Sequence, residues 1–350
     1  MIIPFLQRAV LQGIPLLFGS TGEIVTEKSG HLNLGIPGIM YVGAISGVIG
    51  AFFYEQKAGT EHIVPFLAIM IPLLCCLLGS LIMGLIYCFL TVTLRANQNV
   101  TGLALTTFGV GFGNFFGGSL IKLVKTDVPN VTLTATSNCF TAKLPFASKL
   151  GWFGDLFLSY SFLAYAAVVI AVAAAIVLKK TRVGLHLRAV GENPATADAA
   201  GINVNRYKYV ATCVGSMIAG LGGLYYIMDY ACGVWSNDGF GDRGWLAIAL
   251  VIFAIWRPNL AIPGSFVFGG LYMIYMYIDE MLIAIISFTN KIGLHFLDNM
   301  NTTLSINQQE LYKMAPYVVT ILVLIITSML QKRENQPPAH LGQNYFREER

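Results

Sequence analysis

Of the 350 residues, 55% are hydrophobic and only 11% are charged, with a formal net charge of +4. A soluble domain carries about 25% charged residues, so the composition excludes a soluble globular chain and describes a polytopic membrane protein. The small positive excess is gathered in particular loops and carries no nucleic-acid signal.

Nine apolar segments reach or approach the length that crosses a ~30 Å hydrocarbon core. They fall at 5–22, 34–54, 63–94, 100–121, 156–178, 209–228, 245–255, 260–286 and 315–330. The first runs into further spans without a cleavage site, so it reads as a retained membrane segment. The second opens on LGIPGIMYVG (34–43), and the eighth opens on a similar string, LAIPGSFVFG (260–269). Repeat-related segments interrupted by Pro and Gly point to a midplane substrate site in transporters; chance similarity of two short apolar strings is the competing reading. The third segment is one tilted helix or two helices broken near Gly79-Ser80. The fourth carries Gly109, Gly113 and Gly117, and Gly43-Gly47 and Ser216-Gly220 repeat that interval, which lets helix backbones approach closely. The seventh is short and needs help from its flanks.

Between the fifth and sixth segments lies the one strongly basic loop, 179–208, with six Lys/Arg against two acids. It holds a short helix with its own start and stop signals. Asn193 suits the N-cap, Pro194 the first helical position, and Gly201 the left-handed residue that ends it. The body is all small residues, and about seven of them span roughly 10 Å. Such a helix suits insertion into a cleft on a soluble partner, as a transporter driven by a separate ATPase requires. An ordinary interfacial loop helix is the other reading.

Lys/Arg bias in short loops sets orientation. It puts 179–208 in the cytoplasm, and with it the turn around Arg95, the turn at Trp256-Arg257-Pro258 and the tail with Lys332-Arg333. The acid-rich loop 229–242 and the polar loop 287–313 fall outside. So does 122–155 by parity, although it holds four Lys against two Asp. Nine spans put the N-terminus outside; a third segment made of two helices puts it inside, the side Arg8 favours.

No G-x-x-x-x-G-K-S/T loop is present, so the chain does not bind ATP in that mode. No H-E-x-x-H, paired-Cys or G-x-S-x-G pattern points to catalysis or a metal, and the six cysteines read as packing residues. An ion-coupled carrier needs titratable groups at membrane depth; Glu23, Asp279 and Glu280 sit at segment ends and read as interface residues. Two polar patches, 29–35 and 95–102, can hydrogen-bond a polar solute. Backbone freed at helix breaks must be satisfied by protein or by water lining a cavity. Asn33, Asn97, Gln98, Asn99 and Thr101 are therefore candidate pathway residues, set against the capping and turn roles that Asn and Thr favour anyway. If Arg95 is cytoplasmic, 97–101 forms a gate rather than a site.

Four stretches carry a family resemblance: GEIVTEKSGHLNLGIPGIM (22–40), RANQNVTGLA (95–104), GLHLRAVGENP with AAGI (184–202) and LGQNYFREER (341–350). Each resembles the corresponding stretch of nucleoside-type ABC importer permeases, within the larger class of simple-sugar and branched-chain amino acid permeases. The resemblance implies an all-α, polytopic fold of about nine to ten transmembrane helices, some broken, as in type II importer permeases. It implies a transmembrane permease domain, 1–331, holding a cytoplasmic coupling segment, 179–208, followed by a cytoplasmic tail, 332–350. It also implies a bacterial inner-membrane complex with a second homologous permease, forming a heterodimer. The other implied partners are a cytoplasmic ABC ATPase that carries ATP and Mg, and an extracytoplasmic solute-binding lipoprotein. The chain itself is then no enzyme and holds no cofactor or metal. In that picture Glu192, Asn193, Pro194, Ala197, Asp198, Ala200 and Gly201 couple to the ATPase, and a bulky residue at Ala197 or Ala200 uncouples hydrolysis from transport. A purine nucleoside is the favoured cargo; riboflavin or a simple sugar such as ribose is the alternative, and an ion-coupled secondary carrier the more distant one. Asn99 departs from the family pattern, where Val is commoner, and so does Pro37, where an acid is frequent.

Overall fold

The computed structural model describes residues 2–59, 62–124, 130–142, 151–291, 311–330 and 336–346. Without water, backbone groups must pair within each segment, and the apolar stretches accordingly form helices. In chain order these are α1 (Ile2–Glu27), α2 (Ile36–Ala58), α3 (Pro65–Cys88), α4 (Gln98–Val124), α5 (Thr134–Phe140), α6 (Gly151–Phe157) and α7 (Phe162–Lys180). There follow α8 (Arg182–Glu192), α9 (Pro194–Ala199), α10 (Val204–Tyr225), α11 (Arg243–Phe253), α12 (Pro258–Lys291) and α13 (Ala315–Leu330). Among the described residues, 5 helices are long and apolar enough to cross a membrane: α2, α3, α4, α7 and α10.

The third apolar segment is one helix. α3 passes Gly79-Ser80 unbroken and continues through a π-helical turn, Phe89–Thr93. α1 ends beside the basic loop, with Gly30 against Gly191, so its first residues lie at the opposite end of the bundle. α1 packs on α10, α12 and α11, and α2 is clasped by α3, α10 and α4. Small residues set these approaches. A Cβ on Gly38 would lie 2.5 Å from the Leu105 carbonyl oxygen of α4, and one on Gly43 2.7 Å from Gly220 Cα of α10. Of the glycines spaced by four on α4, Gly109 and Gly113 meet Gly38 and Tyr41 of α2, as such spacing predicts, and Gly117 meets Trp235.

The two Pro-Gly strings differ in placement. Pro37 stands in the first turn of α2, whereas Pro263 lies inside α12. The 11 residues of α11 span about 16 Å, half the hydrocarbon thickness. Its flanks supply the rest. On one side, the chain leaves the strand β2 (Val234–Ser236), which pairs antiparallel with β1 (Asn130–Thr132), and dips toward α2 and α4 through 237–242. On the other, the helix breaks at Ile255 (φ 53) and Trp256 (φ 51) before α12 begins.

One expectation is corrected. Glu23 lies inside the bundle, 1% exposed, and Glu27 beside it is 3% exposed. α1 outlasts its apolar stretch and seats Gly22 on Gly215 of α10, while the Trp256 indole N–H donates to Glu27. The side chains of Asp279 and Glu280 lie outside those described, as do residues 292–310 of the polar loop 287–313. Lys332, Arg333, the 331/332 boundary, and Lys125, Asp127, Lys143 and Lys149 of loop 122–155 also lie outside the described residues.

Candidate functional site

At the basic end, the start and stop signals of α9 form as read. Asn193 Oδ1 accepts from the Thr196 N–H at 3.0 Å, Pro194 is the first helical residue, and Gly201 takes φ 83. Pro194 and Ala197 are buried, with Ala197 packed against Val190 and Val204. Glu192, Asn193, Thr196, Ala199 and Ala200 are exposed, and Asp198 is half-buried. The helix therefore shows a narrow outer face, and Ala197 belongs to its seat rather than to that face.

The tail ties this helix to the start of α2 and α4. The Tyr345 hydroxyl donates to Asp198 Oδ2 at 2.9 Å, and the His340 N–H to the Gly191 carbonyl at 3.0 Å. The Gly342 N–H reaches the Gly30 carbonyl at 3.2 Å, and Asn344 Nδ2 donates to the Arg95 carbonyl at 2.7 Å. Gln98 is the junction. Its Oε1 accepts from the Leu32 N–H at 2.9 Å, and its Nε2 donates to the Gln343 carbonyl at 3.1 Å.

Asn33 is fully buried next to this junction. Its N–H donates to Glu23 Oε1 at 2.9 Å, and its Oδ1 accepts from the Gly35 N–H at 2.9 Å. Its Nδ2 has no hydrogen-bond partner among the described residues. Asn97 is exposed and caps α4 through Val100, Asn99 is exposed, and Thr101 is buried in the first turn of α4. The fold thus joins Asn33 and Gln98 through the 32–33 backbone and leaves Asn97 and Asn99 at the surface. His31 is buried, 3.2 Å from Thr212 Oγ1; burial first, and the Lys208 charge second, hold its imidazole well below the usual histidine range.

A second polar cluster lies farther along the bundle, where 237–242 dips in. The Tyr41 hydroxyl donates to Asn114 Oδ1 at 2.5 Å, and Asn114 Nδ2 donates to Asp238 Oδ1 at 2.9 Å. The Asp238 N–H returns to the Tyr41 hydroxyl at 2.9 Å, with Asp238 at φ 56. The dip is pinned from behind by the buried Arg243. Its guanidinium donates to the Phe240 carbonyl at 2.7 Å and lies 4.3 Å from the centroid of the Tyr226 ring. Tyr226 in turn donates to the Gly239 carbonyl at 2.6 Å.

The described parts are a glycine-packed helical bundle, a short capped helix on a basic loop, and a segment, 237–242, bound to α2 and α4. Residues 5–327 match the family described as branched-chain amino acid transport system / permease component. The chain belongs to this family. The permease is 30% identical over 319 residues to the nucleoside ABC transporter permease protein NupC of Lactococcus lactis, covering 91% of this chain and 90% of the relative. It is 27% identical over 295 residues to the guanosine ABC transporter permease protein NupQ of Bacillus subtilis, covering 80% and 89%. It is also 28% identical over 344 residues, covering 98% and 97%, to TsgC13 of Haloferax volcanii, a proposed glucose ABC transporter permease. No solved structure matches the permease. It is an all-α, multi-pass membrane protein and the permease component of an ABC transporter, in which a partner subunit hydrolyses ATP.

Sequence reasoning missed the Tyr41–Asn114–Asp238 cluster. Asn114 was its one signal: an amide between Gly113 and Gly117 in an otherwise apolar segment. Asp238 read as part of an outer loop, because nothing local to 229–242 announces that the chain turns back into the bundle.

Proposed function

We propose that this permease translocates a purine nucleoside inward across the bacterial cytoplasmic membrane, as one of two related permease subunits forming a heterodimer. An extracytoplasmic lipoprotein delivers the solute, and a cytoplasmic ATPase, loaded with ATP and Mg, docks on the outer face of α9. The permease domain is 1–331, with the coupling segment 179–208 and the tail 332–350 both cytoplasmic. The observation that carries this reading is the build of α9. It is capped, narrow and outward-facing, and the tail links it through Asp198 and Gly191 to the backbone at Gly30, Leu32 and Arg95. Movement of α9 by the ATPase would be passed to the ends of α2 and α4. Glu192, Asn193, Asp198, Ala200 and Gly201 then serve docking, while Pro194 and Ala197 hold α9 in place. Gln98 and Thr101 sit at the cytoplasmic gate, with Asn33 buried behind them, and Asn97 and Asn99 rim its mouth.

The likeness to TsgC13 favours a second cargo, a simple sugar; riboflavin has no such support. The test is uptake into proteoliposomes holding the two permeases, the ATPase and the binding protein. Labelled guanosine, adenosine, ribose, glucose and riboflavin are compared with and without ATP at fixed ion gradients. ATP-dependent accumulation of a purine nucleoside is the expected result. Uptake that ignores ATP and collapses with the proton or sodium gradient would overturn the importer reading in favour of a secondary carrier.

A further inference from the structure

The Tyr41–Asn114–Asp238 cluster does more than hold the dip in place. Asn114 lies 16 residues along α4 from Gln98, roughly 24 Å up a helix of about 40 Å. On the orientation proposed above, that is the outer half of the membrane. At this depth Asp238 is exposed and Asn114 half-exposed. A carboxylate turned to lipid there is strongly unfavourable, so an exposed one faces a water-filled path or a partner. Space lies beside it. Gly111 and Gly118, about one turn before and after Asn114, have nothing within 4 Å of where a Cβ would stand.

Within the cluster, the Tyr41 O–H, one of the two Asn114 amide hydrogens and the Asp238 N–H are each directed at another member. Besides the second Asn114 N–H, what remains is acceptor capacity, because an ionised carboxylate offers about four lone-pair sites and Asn114 takes only one oxygen. Among the described residues, no group of three or more His, Cys, Asp or Glu gathers to hold a metal ion, so a multidentate cation site does not fit. A lone, fixed carboxylate with acceptors to spare fits paired hydroxyl donors.

We propose that Asp238, oriented by Asn114 and Tyr41, forms a solute subsite on the pathway that accepts hydrogen bonds from the vicinal hydroxyls of a sugar unit. The donor is the ribose of a nucleoside or a free hexose. The inference rests on the permease reading and deepens it.

The test uses the reconstituted complex and the variants Asp238→Asn and Asp238→Glu, with assembly and thermal midpoint checked first. Uptake of guanosine is compared with 2′,3′-dideoxyguanosine, and glucose with 2,4-dideoxyglucose, which keeps no vicinal hydroxyl pair. A hydrogen bond to a charged group changes affinity by about ten- to a hundredfold. Asp238→Asn should raise the KM for guanosine by that factor, change that for the dideoxy analogue less than about threefold, and leave assembly intact. Asp238→Glu should restore part of the discrimination. If glucose is the solute taken up, the same split between glucose and 2,4-dideoxyglucose is expected, which keeps the subsite and removes the nucleoside cargo. Equal losses for solutes with and without the diol, or loss of permease pairing, would make the cluster structural and overturn the subsite. A complex that takes up no sugar-bearing solute refutes both the cargo and the subsite.

Discussion

Two alanines on α9 give opposite answers to the same substitution. Ala197 is 3% exposed and packed against Val190 and Val204, so Ala197→Leu drives three extra carbons into a filled seat. Overpacking of this kind costs about 1–3 kcal/mol. At about 2–4 °C per kcal/mol in a large domain, the thermal midpoint in detergent should fall by about 2–12 °C. Ala200 is exposed, where substitutions usually stay within about 0.5 kcal/mol, so Ala200→Leu should move the midpoint by no more than about 2 °C. If a partner covers that face, the same leucine blocks the close fit. ATP-driven uptake should then drop at least about tenfold with the permease still folded. The measurements are thermal unfolding of the purified complex and parallel uptake and ATP hydrolysis in proteoliposomes. Wild-type uptake by Ala200→Leu would refute docking on the outer face of α9. A midpoint drop for Ala200→Leu equal to that of Ala197→Leu would refute the assignment of faces.

Gly38→Ala places a methyl 2.5 Å from the Leu105 carbonyl and should force α2 from α4 by about 1 Å, lowering the midpoint by several degrees. Gly111→Ala, with open space around it inside α4, should hold the midpoint or raise it by up to about 4 °C and serves as the control. Gln98→Ala removes the partner of the half-buried Leu32 N–H and of the exposed Gln343 carbonyl, each hydrogen bond worth about 0.5–1.5 kcal/mol. The tail should then be cut faster by protease in inside-out vesicles, and an unchanged rate would show that Gln98 does not hold it. His31 has a depressed folded-state pKa, so the unfolded chain binds its proton first as pH falls. Its stabilising effect is complete above about pH 6.5 and is lost below it, at up to about 1.4 kcal/mol per pH unit. The gap in midpoint between wild type and His31→Gln should narrow on going from pH 7.5 to 5.5, and a constant gap would contradict a neutral buried imidazole.

By itself the sequence determined what local chemistry controls. Apolar run length produced the spanning helices, and the Asn193, Pro194 and Gly201 signals produced α9, because caps, proline and left-handed glycine act within one turn of the chain. Glycine spacing told which helices can approach closely, though not their partners. Tertiary structure decided everything that joins distant segments. Glu23 reads as an interface residue until α10 and Trp256 close over α1. Ala197 and Ala200 are the same residue in the same helix until Val190 and Val204 bury one of them. Gln98 becomes a junction only when residues 32 and 343 arrive beside it. Asp238, in what reads as an outer loop, enters the bundle because Tyr41, Asn114, Tyr226 and Arg243 hold it there. The physical reason is common to all four: burial and hydrogen bonding between residues on different elements leave no periodicity and no motif in either segment alone.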